Sequence, residues 1–132
     1  MAEVLGGCAP GCAAARNLVM VLAGVFGLLL KGWLRPSLSS FVYSYLGNVT
    51  VSFAVYFVAG FAAVPWLKRA WIAVIALFIV EAFELTNGFG VMTNVYDPYD
   101  YLANAAGVVL AVGVDIVMDR VMKGRGQTGL IY

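Results

Sequence analysis

Apolar residues run along this chain in four stretches separated by short polar breaks, and the length of each stretch decides what it can be. A helix crossing the hydrocarbon of a bilayer needs about 20 predominantly apolar residues. By that measure spans are predicted at about 17–34, 41–64, 70–88 and 98–120. Residues 1–15 read as a flexible amino-terminal tail and 121–132 as a polar carboxyl-terminal one. Pro65 and the pair Lys68 and Arg69 close the second span. The predicted fold class is an all-α membrane protein, a single transmembrane domain built as a bundle of about four helices.

The third stretch is the most informative. Its unbroken apolar run, WIAVIALFIV, covers half of a crossing. To reach the far side the helix must continue through Glu81-Ala82-Phe83-Glu84-Leu85 to about Gly88 or Gly90, which carries both glutamates into the membrane. A re-entrant or interfacial segment is the competing reading. The fourth span opens with Asp97 as N-cap, Pro98 in the first helical position and Asp100 in the third. Carboxylates there also suit the positive end of the helix dipole, so helix capping alone accounts for both.

Depth brings the polar groups together. At ~1.5 Å per residue, Asn48 on the second span and Asn104 on the fourth each fall about 10 Å below one surface, with Asp100 nearer the mouth. Glu84, climbing from the opposite side, arrives at that same level, with Glu81 deeper. The faces agree with the depths. Tyr45, Asn48, Ser52 and Tyr56 form one stripe on the second span, and Glu81 and Glu84 lie one turn apart on the third. Asp97, Asp100, Asn104, Gly107, Ala111 and Asp115 form one stripe on the fourth, where Ala103, Gly107 and Ala111 would let a neighbouring helix come close. Tyr43, Tyr45, Tyr96, Tyr99 and Tyr101 gather at the same end as an interfacial aromatic belt.

Composition turns the spans into a membrane assignment. Apolar residues make up 63% of the chain and charged residues 11%, against about 45–50% and 25% in soluble domains. A chain of 132 residues has too much surface to hide that excess from water. The net charge of +1, without a basic patch interleaved with aromatics, excludes nucleic-acid binding. The distribution of charge says more than its sum. Arg16, Lys68, Arg69, Arg120, Lys123 and Arg125 fall on one side of a four-span chain, and only Lys31 and Arg35 on the other. Both termini are therefore expected in the cytoplasm, the protein being multi-pass in the cell inner (plasma) membrane. Asp115 and Asp119, near the cytoplasmic end, are expected to meet Arg120, Lys123 or water.

Histidine is absent, which removes the commonest general base and the commonest zinc ligand. Cys8 and Cys12 are compatible with a structural pair, a soft-metal site or lipidation, but they are too few for a zinc site and read as incidental to a Gly/Ala/Pro-rich tail. Leu5-Gly6-Gly7-Cys8 has the look of a lipoprotein cleavage site, but no apolar stretch precedes it. No cofactor is called for.

The candidate site is the polar cluster, with Asn48, Ser52, Glu81, Glu84, Asp100 and Asn104 as ligand-binding residues. Charged groups inside a membrane cost ~3 kcal/mol each on insertion scales, so they face protein or water and often mark function. The plainer alternative is an inter-helix network in which the glutamates are protonated or paired with Arg35.

Glu84-Leu-Thr-Asn87, followed by Tyr96-Asp97-Pro98-Tyr99-Asp100-Tyr101-Leu-Ala-Asn104-Ala-Ala-Gly107, resembles the VanZ-like family of small membrane proteins. That family shows Glu-x-x-Gln near the end of one helix, a polar hairpin, then a helix opening with Asp and continuing into Asn-x-x-Gly. Tyr45-Leu-Gly47-Asn48, running into Ser52-Phe-Ala-Val-Tyr56, resembles its preceding helix, so the likeness covers about residues 41–115. Two positions depart from the pattern. Asn87 stands for the Gln, and the family's hairpin Arg is replaced near Asn94, which weakens any transfer of anion binding. The resemblance implies a helical membrane protein and little about activity. One branch is associated with tolerance to a glycopeptide antibiotic, which is not transferred to this chain.

Three functions compete. The first is a non-enzymatic protein whose outward-opening acidic pocket binds a lipid head group, ion or small amphiphile. The second is an accessory subunit of a larger membrane complex, or a homo-oligomer, for which the Gly/Ala content and small extramembrane mass are suited. The third is a carboxylate-based membrane enzyme using Glu81 and Glu84 as acid and base, or a divalent metal on Glu84, Asp97 and Asp100. It ranks last, because nothing supplies a nucleophile with an adjacent base.

Overall fold

In a computed structural model of the chain, residues 10–63, 66–88, 90 and 97–128 are described. Their regular structure is helical: α1 (Pro10–Trp33), a 3-10 turn (Arg35–Ser37), α2 (Ser40–Ala62), α3 (Arg69–Leu85) and α4 (Pro98–Thr128). α1, α2 and α4 are long and apolar enough to cross a membrane. α3, at 17 residues, is about 25 Å long and falls short of that length.

The helix ends differ from the predicted spans for local reasons. α1 starts at Pro10, inside the stretch read as a flexible tail; proline suits a first helical position, and Ala13, Ala14 and Ala15 are strong helix formers. α4 runs to Thr128, well into the predicted polar tail, with Lys123 and Arg125 favoured at its negative end. α3 stops at Leu85 because Asn87 and Gly88 turn left-handed, with φ of 49° and 62°. Asn and Gly are the residues that accept that conformation, and the Gly88 amide closes the helix on the Phe83 carbonyl at 2.8 Å.

α2 is the central element and packs against α1, α3 and α4, while α3 also packs on α4. Glycines set the two closest approaches. A Cβ at Gly107 would run into the Val49 carbonyl oxygen and lie 2.8 Å from Ser52 Cβ, and one at Gly24 would lie 2.8 Å from Ala54 Cβ. The core is small: Tyr56, Phe57, Ala76, Val108 and Ala111. Large apolar side chains such as Trp33, Leu29 and Phe78 point outward, 84%, 68% and 72% exposed. A surface of this kind belongs in lipid.

Candidate functional site

The stripes predicted on α2 and α4 face each other and are joined rung by rung. The Tyr45 hydroxyl donates to Asp97 Oδ2 at 2.7 Å. Asn48 Nδ2 donates to Asp100 Oδ1 at 2.7 Å, and Ser52 Oγ donates to Asn104 Oδ1 at 3.0 Å. Each pair is 52 residues apart in sequence, so the two helices run parallel and in register. The fit depends on Gly107, which lets Ser52 and Asn104 sit at 0% and 4% exposure. Asp97 has a second task, since its Oδ1 accepts from the Tyr99 amide at 3.0 Å and caps α4 as its place before Pro98 predicts.

Glu81 on α3 meets this ladder at Asn104, with Glu84 near enough to interact with it electrostatically. All six candidate residues thus lie on the three helices expected to supply them. Asn48 is tied to Asp100 on one rung, Ser52 and Glu81 meet at Asn104 on the next, and Glu84 is coupled to Glu81. One atom stands out. Glu81 Oε2 is buried and has no hydrogen-bond partner among the described residues. Buried carboxylate oxygens are normally satisfied, so an orphan one marks a place where a donor is wanted. The glutamates are not paired with Arg35, whose guanidinium lies 5.3 Å from the Tyr43 ring centroid. The carboxylates do not gather as a metal site either: among the described residues no group of three potential ligands forms, against the suggestion of Glu84, Asp97 and Asp100.

A second polar cluster occupies the other end of the bundle and joins all four helices. Asp115, 6% exposed, is its hub. Its Oδ2 accepts from Arg69 Nε at 2.6 Å and from the Tyr56 hydroxyl at 2.8 Å. Its Oδ1 lies 3.0 Å from Arg16 Nη2, a charge contact without hydrogen-bond alignment. One turn on, Asp119 meets Arg69 at 3.2 Å, Lys123 at 3.4 Å and Arg16 at 3.6 Å. Arg16 is held in turn by Asn17, whose Oδ1 accepts from it at 3.0 and 3.2 Å. Lys123 was expected at Asp119; Arg16 and Arg69 at Asp115 were not, because they arrive from other helices. The signal was present in the depth arithmetic, which sets two cations and two carboxylates at one level.

The aromatic belt is seen in part. The Tyr45 ring packs edge-on against Phe41 and Tyr99, with centroids 4.6 and 6.2 Å apart. Cys12 is disulfide-bonded, so it is not the incidental thiol expected from its surroundings. Cys8, Asn94 and Tyr96 lie outside the described residues. Compared with protein-family models, with curated proteins and with solved structures, the chain matches none.

Proposed function

We propose that the chain is a VanZ-like, multi-pass protein of the inner (plasma) membrane with both termini in the cytoplasm, α3 completing its crossing through the turn that follows it. The acidic side of the bundle is then an outward-facing pocket for a membrane-derived ligand: a lipid head group, an ion or a small amphiphile. Asn48, Ser52, Glu81, Glu84, Asp100 and Asn104 line it. Glu81, Asp97 and Asp100 bring three carboxylates to it with no cation paired to them among the described residues, so the favoured ligand carries a positive charge or several hydroxyls. The observation that carries the reading is the buried Glu81 Oε2 beside Asn104, which has no hydrogen-bond partner among the described residues. Native mass spectrometry of the gently extracted protein tests it. A lipid or small molecule should stay on the wild type and be lost from Glu81→Gln and Glu84→Gln while both variants remain folded. Retention equal to wild type in both variants sinks the pocket.

A second reading has its own support. An apolar groove of about 260 Å³ runs between α3 and α4, lined by Ala73 and Leu77 on one side and Ala105, Val108 and Val112 on the other. An apolar groove that includes the small residues Ala73 and Ala105 admits another helix, which suits an accessory subunit of a larger complex or a homo-oligomer. The same spectra separate the two, since stoichiometric partner subunits would make the acidic cluster a packing device. Carboxylate catalysis ranks third. Its support is the Glu81–Glu84 proximity alone.

A further inference from the structure

The basic residues at the two ends of the bundle are treated differently. Arg16 and Arg69 are each matched by carboxylates of α4. At the opposite end Lys31, in the last turn of α1, and Arg35, in the 3-10 turn, converge on one ring: Lys31 Nζ lies 4.3 Å and Arg35 Cζ 5.3 Å from the Tyr43 centroid. Among the described residues neither meets a carboxylate. The ring attracts each cation through its face but does not neutralise either. Two like charges are therefore gathered in one small neighbourhood with nothing of opposite sign between them.

The lysine is placed there by the backbone. It does not extend away from the bundle but folds over α2, where its Nζ would lie 2.7 Å from a Cβ on Gly47. Gly47 is buried and Lys31 half-buried, so the amine rests against the surface of α2 at that glycine. Trp33, between the two cations in sequence, is 84% exposed and adds apolar bulk suited to the level of lipid head groups. The leading turn of α2, capped by Ser39, adds its positive dipole end.

We propose that Lys31, Arg35 and Tyr43 form a binding site for a phosphate-bearing anion, the phosphodiester of an anionic lipid or a free phosphate. Arginine and lysine supply a fork and a point charge for the phosphate oxygens, and the tyrosine holds both in place. The site is independent of the acidic pocket. It lies between α1 and α2 rather than among α2, α3 and α4, it has the opposite charge, and Tyr43 and Tyr45 stand on different faces of α2.

The test uses the full chain in phosphatidylcholine nanodiscs doped with phosphatidylglycerol, released into native mass spectrometry. Wild type should retain phosphatidylglycerol in preference to phosphatidylcholine. Arg35 is exposed, so Arg35→Gln leaves the fold intact, and it should cut the preference by about fivefold, the worth of one cation at an anionic surface. Lys31→Gln with Arg35→Gln should abolish it, and the charge-keeping pair Lys31→Arg with Arg35→Lys should preserve it. If inorganic phosphate displaces the lipid, free phosphate is the ligand; a lipid that survives the chase makes it the head group. Three results overturn the site: no anionic preference or phosphate adduct in wild type, an unchanged preference in Arg35→Gln and in the double variant, or a preference removed only by Lys68→Gln with Arg120→Gln at the other end.

Discussion

Asp115 carries more of this structure than any other polar residue, because three side chains from three other helices meet its carboxylate. Removing one member of a buried ion pair costs about 3–5 kcal/mol in proteins generally, since the partners are left charged and dry. Asp115→Asn leaves Arg16 and Arg69 with only the more exposed Asp119 for a partner, and it should lower the thermal midpoint in detergent more than any single change in the polar ladder. Tyr56→Phe removes only a hydrogen bond between helices, a contact worth about 0.6 kcal/mol on average in membranes, and should cost correspondingly little. Asp119→Asn should cost under about 1 kcal/mol, because its side chain is 34% exposed and its pairs are screened. If the unfolding midpoints of Asp115→Asn and Asp119→Asn coincide, Asp115 is not the hub.

At the scale of elements, the glycines decide how closely the helices approach. A side chain at Gly107 has no room against Val49 and Ser52, whereas Gly113 on the same helix has nothing within 4 Å of its would-be Cβ. Gly107→Val should therefore cost about 1–3 kcal/mol or more by forcing α2 and α4 apart. Gly113→Ala should be neutral or stabilise by about 0.5–1 kcal/mol through helix propensity. Thermal unfolding of the two variants side by side checks this, and equal losses would contradict the packing. These same elements show what the sequence makes legible. Stripes at helical spacing identified the faces of α2 and α4 that meet, since Tyr45, Asn48 and Ser52 have no comfortable place in lipid and Asp97, Asp100 and Asn104 have none either. Residue-by-residue pairing was less visible. Spacing along one helix reveals neighbours such as Asp119 and Lys123, but Arg16 and Arg69 reach Asp115 across the bundle, where only the packing of whole helices sets the distance. The starting point of α1 and the end of α4 were hidden for another reason: helix propensity carries both past the limits that hydropathy marks.

The whole molecule poses a question of sidedness. Lysine and arginine counts favour the orientation proposed above, with both termini in the cytoplasm. The disulfide at Cys12 belongs instead to an oxidising compartment, because cytoplasmic thiols are kept reduced. The charge bias acts on every loop during insertion and the disulfide touches one tail, so the bias should prevail. The expected outcome is that Cys12, once its disulfide is reduced, is alkylated by a membrane-impermeant maleimide only after permeabilisation. Labelling of intact cells, after mild reduction if needed, would reverse the orientation and carry the acidic pocket to the inner face. The parallel ladder between α2 and α4 also bears on how the chain is made. When α2 leaves the ribosome its polar stripe has no partner, because the residues that pair with Tyr45, Asn48 and Ser52 each lie 52 positions later in the chain. Until α4 is threaded into the bilayer, Tyr45, Asn48, Ser52 and Tyr56 face lipid or a helper, and Arg16 and Arg69 lack their aspartates. The ladder and the Asp115 cluster are both closed by α4, so quality control of this bundle has a single late event to inspect.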